Sequence, residues 1–100
     1  MLNGKANGEV TYYYDNGKIM ETGNFADNEK NGQWLRYDET GKKIAIAFYV
    51  TGKKDGTWMI WDTNGTKRCE MNYTMGEKKG KWQMWNENGL LTSEKTYSNL

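Results

Sequence analysis

Trp58-Met59-Ile60-Trp61 followed by Asp62-Thr63-Asn64-Gly65 is the stretch whose reading decides the fold. Aromatic and β-branched residues favour an extended, pleated backbone. An Asp that opens a short polar group ending in Gly reads as a hairpin turn, because the carboxylate bonds nearby amides and the glycine supplies a positive φ. The chain should leave a strand at Trp61 and double back.

Outward from this stretch, the same pattern returns every 24 residues. Gly8, Gly32, Gly56 and Gly80 form one series, and Gly17, Gly41, Gly65 and Gly89 a second. A third register holds Gly4, Asn28, Gly52 and Gly76, in which asparagine stands as the non-glycine residue most tolerant of a left-handed backbone. Rings keep the same spacing in Trp34, Trp58, Trp82, whose register the first unit fills with Val10, in Tyr13, Tyr37, Trp61, Trp85, and in Phe25, Tyr49, Tyr73, Tyr97. Each unit supplies two strands and two reversals. The expected fold is therefore all-β: an elongated single-sheet antiparallel β-meander of tandem 24-residue hairpin repeats, about eight strands in all. The absence of proline agrees with uninterrupted ladders.

Residues 1–100 read as a single repeat domain with units at about 7–30, 31–54, 55–78 and 79–100. Met1 falls in the register of Phe25 and Tyr49, so the chain is expected to start inside a repeat, as an N-terminally trimmed fragment would. That expectation leaves the cellular compartment unassigned. Two rival architectures fit less well. Leucine-rich repeats lack their leucine pattern here, and a parallel β-helix has no use for paired Asp/Asn-x-x-Gly hairpin turns.

Alternation along Trp58 to Trp61 puts Trp58 and Ile60 on one side of the sheet and Met59 and Trp61 on the other. Both faces then carry rings, so the sheet should either curl over itself or be covered by a partner. In the returning strands the parity Lys67, Cys69, Met71, Tyr73, with its equivalent Lys43, Ala45, Ala47, Tyr49, is the more apolar and is assigned to packing. The opposite parity changes from Ile44, Ile46, Phe48 to Arg68, Glu70, Asn72, which is where a ligand could be read.

Composition narrows the chemistry. With 14 Lys and Arg against 13 Asp and Glu, the formal charge of +1 provides no field to attract nucleic acid or anionic lipid. Histidine is absent, which removes the usual general base and the commonest metal ligand. Cys69 aligns with Glu21, Ala45 and Ser93 and reads as a small strand residue rather than a nucleophile. Asp15, Asp38 and Asp62 sit at turns, where local hydrogen bonding accounts for them. The lysine pairs Lys42-Lys43, Lys53-Lys54 and Lys78-Lys79 read as solvated connections that protect sheet edges. No glycine motif for phosphate is present. The expectation is a chain without catalytic residues, cofactor or metal, and without a nucleic-acid partner.

The residues Asn31-Gly32-Gln33-Trp34 through Tyr37 and Gly41-Lys42, Gly52-Lys53-Lys54-Asp55-Gly56-Thr57-Trp58 through Trp61, Asn64-Gly65 and Tyr73, and Lys79-Gly80-Lys81-Trp82 through Trp85 and Asn88-Gly89 resemble the bacterial variant of the MORN repeat. Proteins with this repeat are commonly labelled YwqK-family antitoxins. The resemblance implies stacked hairpins, and roles in scaffolding, membrane association or toxin neutralisation. A membrane role draws no support from the charge. Trp34, Tyr37, Trp58, Trp61, Trp82 and Trp85 are the candidate partner-binding residues, since large rings are the side chains most able to anchor an interface. The leading expectation is an unidentified protein partner, with self-association through sheet edges beside it. The alternative is carbohydrate or cell-wall binding through the periodic aromatic ladder. Tyr12-Tyr13-Tyr14-Asp15-Asn16-Gly17 is similar to choline- and glucan-binding repeats, although their unit is shorter.

Overall fold

The structure is a computed structural model and describes residues 7–97. Its strands are Gly8–Tyr13 (β1), Ile19–Ala26 (β2), Glu29–Tyr37 (β3), Lys43–Val50 (β4), Lys53–Lys54 (β5), Gly56–Trp61 (β6), Lys67–Thr74 (β7), Glu77–Lys78 (β8), Gly80–Trp85 (β9) and Leu91–Tyr97 (β10). They form one antiparallel sheet in the order β1-β2-β3-β4-β6-β7-β9-β10, with β5 on β4 and β8 on β7. The two short strands are the leading ends of β6 and β9, cut off by a backbone irregularity at Asp55 and Lys79. Eight hairpin arms in sequence order remain, and no helix occurs among the described residues.

Two kinds of turn alternate. In the first, the amides of Gly17, Gly41, Gly65 and Gly89 donate to the carbonyls of Tyr14, Asp38, Asp62 and Asn86 at 2.9–3.0 Å. Gly41, at φ +95°, takes the left-handed position that lets this loop rejoin the sheet twist. The carboxylate of Asp38 also accepts from the amides of Thr40 and Lys42, and that of Asp62 from Asn64 and Thr66. The second kind has positive φ at both central residues: Asp27 and Asn28, Thr51 and Gly52, Met75 and Gly76. That is the type I′ signature, whose twist matches the flanking strands. A non-glycine residue at positive φ costs about 1–2 kcal/mol. The first residue of each pair has its amide bonded to a side-chain oxygen of an earlier strand or its approach, Asp27 to Asn7, Thr51 to Asn31 and Met75 to Asp55, at 3.0–3.3 Å.

Neighbouring turns are also tied to each other. Gly52 donates to the Lys30 carbonyl at 2.9 Å and Gly76 to that of Lys54 at 2.7 Å. At the opposite margin the Tyr14 hydroxyl donates to the Tyr37 carbonyl, and the Lys18 and Lys42 ammonium groups to the carbonyls of Thr40 and Thr63. Both margins of the sheet are laced from repeat to repeat.

The plate measures 46 × 42 × 12 Å. Among the described residues Trp34 is the hydrophobic side chain that is fully buried, at 2% exposure. A single layer has no interior for more, so the core lies along one face.

Where the side chains point follows the expected alternation with one correction. The register shifts between Arg36 and Tyr37 and between Ile60 and Trp61, so that Tyr37 pairs with Lys43 and Trp61 with Lys67. Each bulge inserts one extra residue, Ile44 or Arg68, and so reverses the parity beyond it. Lys43 and Lys67 therefore leave the Ala45/Cys69 side to which strict alternation assigns them and lie on the Trp61 side. The Lys67 ammonium reaches the Glu70 carboxylate there at 2.8 Å.

Candidate functional site

On one face, called here the ladder face, each repeat contributes a tyrosine or phenylalanine from its second strand, and each after the first, where Val10 holds the position, a tryptophan from its first. They interleave as Phe25, Trp34, Tyr49, Trp58, Tyr73, Trp82, Tyr97, with successive ring centroids 5.1–6.4 Å apart and mostly edge to face. Each such contact contributes about 0.5–1.5 kcal/mol beyond area burial. The indole nitrogens of Trp34, Trp58 and Trp82 donate to the carbonyls of Asn24, Phe48 and Asn72 at 2.9–3.1 Å. Those of Phe48 and Asn72 also accept the amides of Asp55 and Lys79. The irregularity at each junction thus brings the indole and the amide of one repeat to a single carbonyl of the previous one.

Lysines close the ladder from above. The ammonium of Lys30 lies 4.6 Å from the Trp34 ring centre and 5.1 Å from that of Tyr49. Lys54 does the same over Trp58 and Tyr73, and Lys78 over Trp82 and Tyr97, at 4.9–5.3 Å. These three residues are themselves 24 apart. A cation over a ring face is worth about 0.5–1 kcal/mol when exposed, and the alkyl stem shields ring surface that a second layer would otherwise have to cover. Lys54 and Lys78, read from sequence as solvated turn residues, are exposed and at the same time lie over the ladder rings.

Of the six candidate partner-binding residues, Trp34, Trp58 and Trp82 come together in this ladder. Tyr37, Trp61 and Trp85 do not join them. They stand on the reverse face near the hairpin turns, where Lys43 lies 6.0 Å from the Trp61 ring centre and Lys67 4.7 Å from that of Trp85. The sheet separates the two sets.

Beside the ladder, on the same face, runs a row that sequence reading did not single out. Register pairs Tyr12 with Glu21, Glu21 with Arg36, Arg36 with Ala45, Ala45 with Ile60, Ile60 with Cys69 and Cys69 with Met84. Tyr12, Ile60 and Met84 are exposed at 47%, 38% and 51%. Between row and ladder lies a groove of about 240 Å³ whose lining includes Glu21, Lys30, Trp34, Arg36, Ala45, Ala47, Tyr49, Trp58 and Ile60. The alanines make the depression, the rings its wall, and Glu21 and Arg36 its polar end. Burial, and then the Glu21 carboxylate, push the Tyr49 phenol above its ordinary pKa, so it stays a neutral donor. The signal for this row was the low period-24 regularity of its residues: Glu21, Ala45, Cys69 and Ser93 share a register but no chemistry.

The Asp38 and Asp62 carboxylates are occupied by turn amides. Asp38 is held below the usual carboxylate range first by the Thr40 hydroxyl, 2.6 Å away, and then by the Lys42 amide.

A family profile described as MORN repeat variant matches residues 6–27, 30–51, 54–75 and 78–99. Neither a search of curated proteins nor one of solved structures returned a match.

Proposed function

The chain belongs to the MORN repeat variant family, and on that premise we propose that it is a non-catalytic repeat module whose ladder face engages another protein. The observation that carries this reading is the exposed row beside the ladder. The ladder registers vary little, with Phe25 and Val10 of the first repeat as the departures, and the rings from Trp34 to Tyr97 are closed by lysines. The neighbouring row changes from Tyr12 to Arg36 to Ile60 to Met84 in one register, and it remains open to solvent. A surface that is constant where it packs and individual where it is exposed suits recognition of a particular partner.

Catalysis draws no support from the titratable groups. Histidine is absent, and Asp38 and Asp62 are committed to turn amides. Toxin neutralisation is the specific form of the protein-binding reading that the label on similar repeat proteins suggests. Carbohydrate binding loses ground for a geometric reason. Sugar stacking uses open ring faces, whereas these rings meet edge to face beneath lysine ammonium groups.

The test is affinity capture from the native source with the wild type and with an Ile60→Lys, Met84→Lys variant, both checked for an unchanged β-sheet spectrum. A protein retained by the wild type and lost by the variant, then rebound in purified form, supports the reading. Identical captured sets would remove it. A glycan titration followed by tryptophan fluorescence should show no saturable change.

A further inference from the structure

The reverse face of the sheet is a surface separate from the ladder face. Leu35 pairs with Ile46, and Ile46 with Met59, so these three side chains stand side by side across β3, β4 and β6. Phe48 continues the patch along β4, and Tyr37 and Trp61 border it toward the turns. All are half-buried, yet among the described residues no second layer lies over them. Sheets with an apolar face ordinarily pack it against another layer about 10 Å away.

We propose that this face is covered by the same face of a second copy of the chain, related by a two-fold axis running along β4. The strand order decides what would meet. β3 and β6 flank β4, β2 and β7 lie next, and β1 and β9 beyond them. Rotation about β4 exchanges the two flanks, so Leu35 meets Met59 of the mate, Tyr37 meets Trp61, and Ile46 and Phe48 meet themselves. Farther out, Glu9 and Lys81 occupy one register of the repeat, three strands to either side of β4, and come opposite each other with complementary charge. Lys43 faces its own mate, but it is exposed at the turn margin, where solvent screens like charges. A two-fold along a strand also leaves the sheet twist congruent in both copies, as aligned sheet packing needs.

Area permits it. In-plane extents of 46 × 42 Å give each face a projected area of roughly 1,900 Å², and a standard interface takes about 800 Å² per partner. Less than half of the face suffices, with an apolar centre and a polar rim. The pairing leaves both ladder faces outward, so each assembly presents two copies of the exposed row.

Sedimentation equilibrium of the full chain tests the proposal. The wild type should sediment at twice the chain mass at micromolar concentration, and Ile46→Lys should raise the dissociation constant by about tenfold or more through an unpaired charge placed at the centre. Should Ile46→Lys fail to fold, the exposed pair decides alone. Glu9→Lys and Lys81→Glu should each weaken the dimer, and the double reversal should restore it. A monomeric wild type, a folded Ile46→Lys that remains dimeric, or a double reversal without recovery would each overturn it. The second of these outcomes would point to pairing at sheet edges.

Discussion

β4 and β7 occupy the same place in successive repeats, and they are alike on only one side. Toward the ladder, β4 presents Ala45, Ala47 and Tyr49, and β7 presents Cys69, Met71 and Tyr73, small or apolar residues ending in a ring. On the reverse face β4 presents Ile46 and Phe48 where β7 has Glu70 and Asn72. The apolar pair has no polar partner. The polar pair is fully engaged: Glu70 with Lys67, and Asn72 with the Thr57 hydroxyl at 2.6 Å and the Lys81 carbonyl at 2.8 Å. The repeat's architecture therefore resides in its turns and one face. The other face can be written in apolar or polar residues without altering the backbone register.

The largest test of this contrast is Trp58→Ala. The indole lies between Tyr49 of β4 and Tyr73 of β7. Its removal should cost about 3 kcal/mol or more in urea denaturation, as for other large aromatic truncations. A loss below about 1 kcal/mol would contradict the shared ladder as the core. Next comes Asn72→Ala, which strands the Thr57 hydroxyl and frees the Lys81 carbonyl. A loss of about 1–2 kcal/mol is expected from the same measurement. Glu70→Ile writes β7 in the manner of β4. Because the Lys67 pair is partly exposed, stability should change by under about 1 kcal/mol, while any tendency to associate should rise.

The smallest effect concerns the turn that leads into β4. The Asp38 carboxyl is held below its ordinary value, so its contribution is present above the unfolded-state pKa and is lost as pH falls through the folded-state pKa. Acid titration of Asp38→Asn, followed by circular dichroism, should therefore show a flatter decline than the wild type. Asn86 already makes the corresponding turn bonds without a titrating group, to the amides of Asn88 and Leu90.

Much of the fold was legible because turns are local. Asn28 in a glycine register, Gly52 and Gly76 all proved to lie at positive φ, and Trp58 and Trp61 face opposite ways as alternation requires. What escaped the sequence depends on through-space neighbours. Strict alternation cannot foresee that Ile44 and Arg68 are inserted, and so it misplaces Lys43 and Lys67. A lysine beside a turn gives no sign that the next strand will hold a ring beneath it, which hid the role of Lys30, Lys54 and Lys78. Gly23 stands where later repeats carry Ala47, Met71 and Lys95, yet a Cβ there would run into the Trp34 ring. The missing side chain is what lets that indole be the buried one. The exposed row is hidden for the opposite reason: it has no period, so nothing in the repeat pattern marks it.

The interleaved rings have an implication for how such chains grow. Trp34 packs against Phe25 of the preceding hairpin as well as Tyr49 of its own, and Trp58 and Trp82 are shared in the same way. The segment that a gene would duplicate is therefore offset from the segment that folds, because every junction is half of somebody else's core. Adding a unit creates a complete new interface at once, and deleting an internal one lets its neighbours rejoin. Isolated as a peptide, a single 24-residue unit would own only fragments of two such interfaces and should remain unstructured.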